Sequence, residues 1–187
     1  MKEEAYVYCG DRSLYYEDPA GDYKVDVMAQ DWSGKSSIIA TNLFEYTAMN
    51  AFDVDFINVD YGNVKLNTLQ GLSGDLDMAT AERPTVRNLG NTRLYIGVEQ
   101  DDMNGLGTTN GVYNVSYQAR VGNEEADWKG YDPSNSVTWL QDILDLSEDE
   151  EMDFTIFVTK WPIIAPNWQG TMTLSAKSAN FRECYNI

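Results

Sequence analysis

A period of two constrains this chain more than any other feature. Tyr23, Val25, Val27 and Ala29 alternate with Lys24, Asp26 and Met28, and Phe52, Val54 and Phe56 alternate with Asp53 and Asp55. Leu94, Ile96 and Val98 repeat the pattern. Tyr113, Val115, Tyr117, Ala119 and Val121 fall on one face of a longer run, with Asn114, Ser116, Gln118 and Arg120 on the other. Phe154, Ile156 and Val158 follow, then Met172, Leu174 and Ala176. Successive side chains of a strand leave on opposite faces, so each run predicts a half-buried strand. Turn clusters lie between them at 18–21, 71–74, 88–91, 104–111 and 131–136. Short strands punctuated in this way predict an all-β chain. The expected architecture is an antiparallel β-sandwich or jelly roll with immunoglobulin-like features and little helix. Asn88-Leu89-Gly90-Asn91 has hairpin chemistry, since Gly and Asn tolerate positive φ. Over 137–146 the signals conflict: Val137 and Trp139 suit a strand, whereas Leu140, Ile143 and Leu144 suit a helical turn. A short strand followed by a loop or single turn is expected there. The acidic run Glu148 to Glu151 reads as a solvated loop leading into a strand near Met152.

Composition narrows the function. With 187 residues, 43% of them hydrophobic, and 12 Tyr, 6 Phe and 5 Trp, the chain can bury a sizeable core. Thirty Asp and Glu against thirteen Lys and Arg give a formal charge of −17. That surface repels phosphate backbones and anionic headgroups, so nucleic acid is not an expected partner. It attracts cations instead. There is no His, which excludes Ser-His-Asp and Cys-His machinery and the His-dependent zinc peptidases. Carboxylate chemistry remains, but among so many acids no pair stands out, and the expectation is that the chain is not an enzyme. No stretch approaches the roughly 20 apolar residues of a membrane span, so no membrane insertion is expected. The opening MKEEAYVYCG lacks the apolar region of a signal peptide.

Two stretches carry a resemblance. Residues 16–34, YEDPAGDYKVDVMAQDWSG, resemble the closing half of a PKD-type immunoglobulin-like repeat, in which a Pro-x-Gly turn feeds a Tyr-x-Val-x-Val strand and a polar Asp-x-x-Gly turn. The strand from Phe44 to Thr47 would close that half. From about Phe52 to Ala176, the elements VDYGNV, a Ser-Gly-Asp strand, PTVRNLGNTRLYIGVE and TKWPIIAPNWQGTMTLSA are similar to archaeal and bacterial surface β-sandwiches, including the matrix-fibre and camelysin-like group. The resemblance implies an N-terminal strand and half-repeat over 1–48 and a main sandwich over 49–187, or one continuous unit. It implies an extracellular or cell-surface setting. No peptidase ligand set transfers with it.

Several residues are site candidates. Cys9 and Cys184 are the only cysteines. They are expected to be oxidised in an exported protein, within one chain or between subunits, with free thiols as the remaining alternative. Closing so long a loop stabilises by about 5 kcal/mol in the chain-entropy picture. Asn114-Val115-Ser116 is an N-glycosylation sequon. Asp101, Asp102 and Asn104 gather oxygens beside Gly105, and Asp75 with Asp77, like Asp53 with Asp55, offers carboxylates at i, i+2. Each suits half of a Ca²⁺ site, and each equally suits a solvated turn or face. Trp32, Trp128, Trp139, Trp161 and Trp168 suit either a sugar-stacking face or core ends. Ala5, Tyr6, Val7 and Tyr8 form a short β-prone run free of Pro and Gly, fit to pair with an open sheet edge of its own chain or of a neighbour.

These features converge on an expectation: an extracellular structural subunit that assembles with copies of itself into a filament, tube, sheath or surface layer. Strand donation would link the copies and Ca²⁺ would aid them. The alternative is a monomeric module that binds glycan or a cell-wall polymer.

Overall fold

The computed structural model describes residues 10–101, 103–105, 115–160 and 167–179. Cys9, Cys184, Asp102, Asn114, Trp161 and the run Ala5 to Tyr8 lie outside them, as do the side chains at 104, 105, 134 and 135. Strands take up 49% of the chain and helix 2%, the latter a single 3-10 turn at Glu125–Asp127 among the described residues. The fold is all-β and antiparallel, as the alternating runs require.

In chain order the strands are β1 (Gly21–Val27), β2 (Ala40–Tyr46), β3 (Phe52–Val54), β4 (Leu69–Leu72), β5 (Thr85–Asn88), β6 (Leu94–Gln100) and β7 (Asn104–Gly105). There follow β8 (Val115–Val121), β9 (Lys129–Tyr131), β10 (Ser134–Leu144), β11 (Asp149–Val158), β12 (Trp168–Gln169) and β13 (Met172–Ser178). One sheet runs β3-β5-β11-β8-β9, with β4 also on β11; a second runs β10-β6-β13. Two strand pairs, β1-β2 and β12-β7, stand apart from them. Strand β11 is the axis of the wide sheet. Its start pairs with β5, its end pairs with β4, and β8 lines its other side from Met152 to Val158.

Between the two large sheets lies the core that the period of two selects. Leu94, Ile96 and Val98 of β6 and Leu140 and Leu144 of β10 come from one side. Tyr117, Ala119 and Val121 of β8 and Met152, Phe154, Ile156 and Val158 of β11 come from the other. Phe56 meets Phe154 edge-on with ring centroids 5.8 Å apart. One charge is sealed in. Asp153, 2% exposed, accepts from the Gly74 amide at 2.8 Å and from Arg120 Nε at 2.8 Å and Nη2 at 2.6 Å. The Arg120 guanidinium also lies over the Trp128 ring at 4.7 Å.

Three local expectations are corrected. Asn88 to Asn91 is not a hairpin, because β5 and β6 belong to different sheets. It is a corner held by side-chain amides. Asn88 Nδ2 donates to the carbonyls of Thr92, Leu144 and Asp145, and its Oδ1 accepts from Gly90 N at 2.8 Å. Asn91 Nδ2 donates to Thr47 O, and its Oδ1 accepts from Met49 N at 2.6 Å. Gly90 is needed for close approach, since an added Cβ would meet the Met49 carbonyl and lie 2.9 Å from the Ala51 amide. The stretch 137–146 is no short strand with a turn: it continues β10 to Leu144. Register shifts against β6 between Ser134 and Thr138 and between Trp139 and Ile143 insert extra residues, which breaks the period of two and mimics a helical spacing. The acidic run is not a loop either. Asp149, Glu150 and Glu151 pair with Arg87, Val86 and Thr85, and a forked Arg87–Asp149 ion pair draws the acids into the ladder.

Replacing Phe154 with Ala should cost about 3–5 kcal/mol through the cavity it leaves. Asp153→Ala should cost a similar ~3–5 kcal/mol by stranding the Arg120 charge. Val27→Ala, on an exposed strand, should stay within about 0.5 kcal/mol. Urea unfolding followed by tryptophan fluorescence measures all three.

Candidate functional site

Two surfaces are built differently from the rest of the molecule. The first is the β1-β2 ribbon, which no other strand joins among the described residues. Tyr23, Val25 and Val27 pair with Phe44, Asn42 and Ala40, so these six share one face, while Asp22, Lys24 and Asp26 share the other with Glu45, Leu43 and Thr41. At the ribbon's base Tyr23 stacks on Phe44 at 5.3 Å and meets Tyr46 edge-on at 6.3 Å. The Tyr23 hydroxyl donates to Pro19 O at 2.6 Å, and Ala20 N donates to Asn91 O at 2.8 Å, which ties the base to the corner. Towards the tip no described residue covers the apolar row: Val25 and Val27 are exposed.

The tip itself is a well-made turn. Asp31 Oδ1 accepts from Ser33 N, Ser33 Oγ and Lys35 N at 2.7–2.9 Å, Asp31 N donates to Lys35 O at 2.9 Å, and Gly34 takes φ +85°. The Ser33 hydroxyl first, then the Lys35 amide, holds the Asp31 carboxyl below the usual carboxylate range. What this turn presents is Trp32, 99% exposed, with Ile38 at 91% and Ile39 at 60% on the returning strand's approach.

The second surface is a groove of about 910 Å³ beside β13, between the two large sheets. Phe52, Val54, Phe56, Ile156, Met172 and Leu174 are among its apolar walls, with Trp168 at one end and Asn58, Asp60 and Asn63 on its rim. Its origin is a mismatch of the sheets. On β6 the inward row Leu94, Ile96 and Val98 is fully buried. On the neighbouring β13 the matching row Met172, Leu174 and Ala176 is only half-buried, and beyond β13 the described residues carry no further strand. Gln100, 4% exposed, borders the groove. Its Oε1 accepts from the Tyr131 hydroxyl at 3.1 Å, while its Nε2 is buried without an acceptor among the described residues. Burial pushes the neighbouring Tyr61 phenol up to about 12.

Among the described residues the acids serve mainly as turn and strand acceptors. Among the described residues no three or more Asp or Glu are placed to hold an ion together. Asp101 Oδ1 accepts from Thr171 N at 2.6 Å and so holds the entry to β13. Asp75 and Asp77 lie in a loop, not on a strand, and act as turn acceptors for Asp77 N at 2.9 Å and Ala79 N at 3.0 Å. The Asp55 carboxylate takes the Thr85 amide at 2.8 Å, while Asp53 Oδ1 takes Val54 N at 2.9 Å. The described tryptophans are separately engaged: Trp128 under Arg120, Trp139 with Lys177 over it at 4.7 Å, Trp168 in the groove, Trp32 at the tip. Sequence reasoning passed over Gln100, Ile38 and Ile39. The Trp-Ser-Gly turn followed by Ile-Ile was the available signal for the last two, since a turn cannot bury such residues in its own ribbon.

Comparisons with protein-family models, with curated proteins and with solved structures found no match. The site is therefore read from its own geometry.

One titration is displaced in the acidic face by β11. Burial first, then the charges of Glu148, Asp142 and Glu151, push the Glu150 carboxyl up to about 7. Burial also raises Asp142. A carboxyl that binds its proton more tightly when folded loses stability as pH rises from its unfolded value through its folded one. The melting temperature should therefore fall between about pH 5 and pH 8. Glu150→Gln should flatten that decline and raise the melting temperature at the upper end. Asp149, held low by Arg87, contributes the opposite trend only in more acidic solution.

Proposed function

We propose that the protein is a structural subunit that assembles with copies of itself, at the cell surface or outside the cell, into a filament, tube, sheath or layer. The observation that carries the reading is the β1-β2 ribbon, which pairs with no other described strand and exposes Val25, Val27 and the Trp32 tip. An isolated two-stranded ribbon is at best marginally stable in water, and a contiguous exposed apolar patch marks an interaction surface. Packing against another copy supplies the missing layer. Donation of the Ala5 to Tyr8 strand adds a second link, and Ca²⁺ relieves the repulsion between copies that each carry −17 at carboxylates contributed by both partners.

The open groove favours a second reading, a monomeric module for an extended glycan or cell-wall polymer. Trp168 offers a stacking ring, and Asn58, Asp60 and Asn63 offer rim hydrogen bonds.

Size-exclusion chromatography with light scattering separates the two. The native chain should form species well above its 21.1 kDa monomer mass. A variant with Trp32→Ser, Ile38→Ser and Ile39→Ser should run as a monomer with an unchanged melting temperature, because all three side chains are exposed. Excess chelator should shift the native chain towards smaller species. A native chain that stays monomeric at high concentration, with Ca²⁺ present, refutes assembly and leaves the binding module.

A further inference from the structure

We propose that the groove beside β13 receives residues 4–9 of a neighbouring copy as an added strand, with Tyr6 and Tyr8 turned inward. This rests on the self-assembly reading and names the contact that reading leaves unspecified.

The acceptor is described by the sandwich itself. Strand β13 pairs with β6 along one edge, and its other edge carries no strand among the described residues. Its inward row is half-buried while the row on β6 is fully buried, and an added strand would lie roughly 4.8 Å beyond β13 and cover that row. An added strand would hydrogen-bond to the open edge of β13 and lay alternate side chains over Phe52, Val54 and Phe56.

The occupant is argued from length, charge and chemistry. Six residues extend about 20 Å, close to the span of the seven-residue β13. The run Ala5-Tyr6-Val7-Tyr8 is uncharged in a chain of −17, and it contains no Pro or Gly to interrupt a ladder. The leader Gly10 to Ser13 is exposed and leads to the ribbon's base, where Tyr15 O accepts from the Tyr46 hydroxyl at 3.3 Å. A copy docked through its ribbon therefore brings this segment against its neighbour.

Parity decides which side chains enter. Tyr6 and Tyr8 lie on one face of a strand and Ala5 and Val7 on the other. The groove is wide and offers aromatic neighbours in Phe52, Phe56 and Trp168, which suits two phenol rings better than a methyl and an isopropyl group. A phenol oxygen also supplies the acceptor that the buried Gln100 Nε2 lacks among the described residues.

The test places the photo-crosslinking residue benzoylphenylalanine at position 8 of the full chain and assembles an equal mixture of light and heavy-nitrogen chains. Mass spectrometry should find links from position 8 to peptides containing Met172 or Leu174, or Phe52 to Phe56, joining light chains to heavy ones. In parallel, Tyr6→Ala with Tyr8→Ala, checked for an unchanged melting temperature, should lower polymer yield about tenfold or more, the effect of losing one buried anchor pair. Groove links confined to single chains would mean that the segment closes its own groove, which overturns the inference. So would polymers whose links fall elsewhere, or tyrosine variants that polymerise as well as the parent. In those cases the assembly reading survives. A parent chain that forms no polymer overturns both.

Discussion

The sandwich depends on a buried charge at the middle of its central strand. Asp153 sits in β11, the strand to which β4, β5 and β8 all attach, and its carboxylate joins that strand to the Gly74 loop and to Arg120 of β8. A carboxylate sealed from water is tolerable only when its lone pairs are all engaged. Here one oxygen takes a backbone amide and the other takes a guanidinium, which is itself stacked on Trp128. Gly74 completes the arrangement. An added Cβ there would strike the Pro84 carbonyl and lie 2.6 Å from the Met152 amide, so only glycine brings that loop close enough to donate. The polar clamp fixes the lateral order of the wide sheet, and the apolar core then packs against a surface already in register.

Among the described residues the second sheet has no such clamp at its far side, and there its inward row is only half-buried. Its order is set from the β10 edge, where the bulged strand buries Leu140 and Leu144, and coverage fades towards β13. The corner at Asn88 to Asn91 explains why the opening remains local. Two buried side-chain amides lock the crossing between the sheets and the base of the ribbon to one point, so the sheets cannot slide to close the gap.

Alternation made the core strands legible from sequence because β6, β8, β11 and β13 each have one inward face, and Ile96, Tyr117 and Phe154 fall on it. Where pairing is irregular the period fails: the bulges of β10 place Leu140, Ile143 and Leu144 at a spacing that reads equally as a helical turn. The acids at 149–151 misled for another reason, since their strand is stabilised by Arg87, more than sixty residues away in sequence. The Asn-Leu-Gly-Asn corner has the composition of a hairpin, yet its amides bond to β10's end and to the ribbon's base, which are long-range facts. The candidate surfaces were less legible still. The ribbon's strands alternate just as the core strands do, and only the absence of a covering layer among the described residues distinguishes Val25 from Val98. Gln100 carries no local signal, because its significance lies in the acceptor its Nε2 lacks among the described residues.

Ribbon and groove are different surfaces, and that has a geometric consequence for any assembly that uses them. If one copy's ribbon and leader engage another copy's groove, the pair keeps one free groove, on the first copy, and one free ribbon, on the second. Such a contact is heterologous, and unless its rotation happens to close a ring it propagates without limit. Electrostatics then sets how tightly copies approach. Each brings a charge of −17, so long-range repulsion opposes contact while the apolar tip and the uncharged strand favour it at short range. The balance tilts with ionic strength, because the Debye length shrinks to about 8 Å near physiological salt while burial of Trp32, Ile38 and Ile39 is not screened. If the chain assembles in this way, it should stay dispersed where salt is low and associate where salt is high. In such an assembly divalent cations would act in the same direction at lower concentration, since the carboxylates of one copy do not complete a site among the described residues and two facing copies would supply twice as many oxygens.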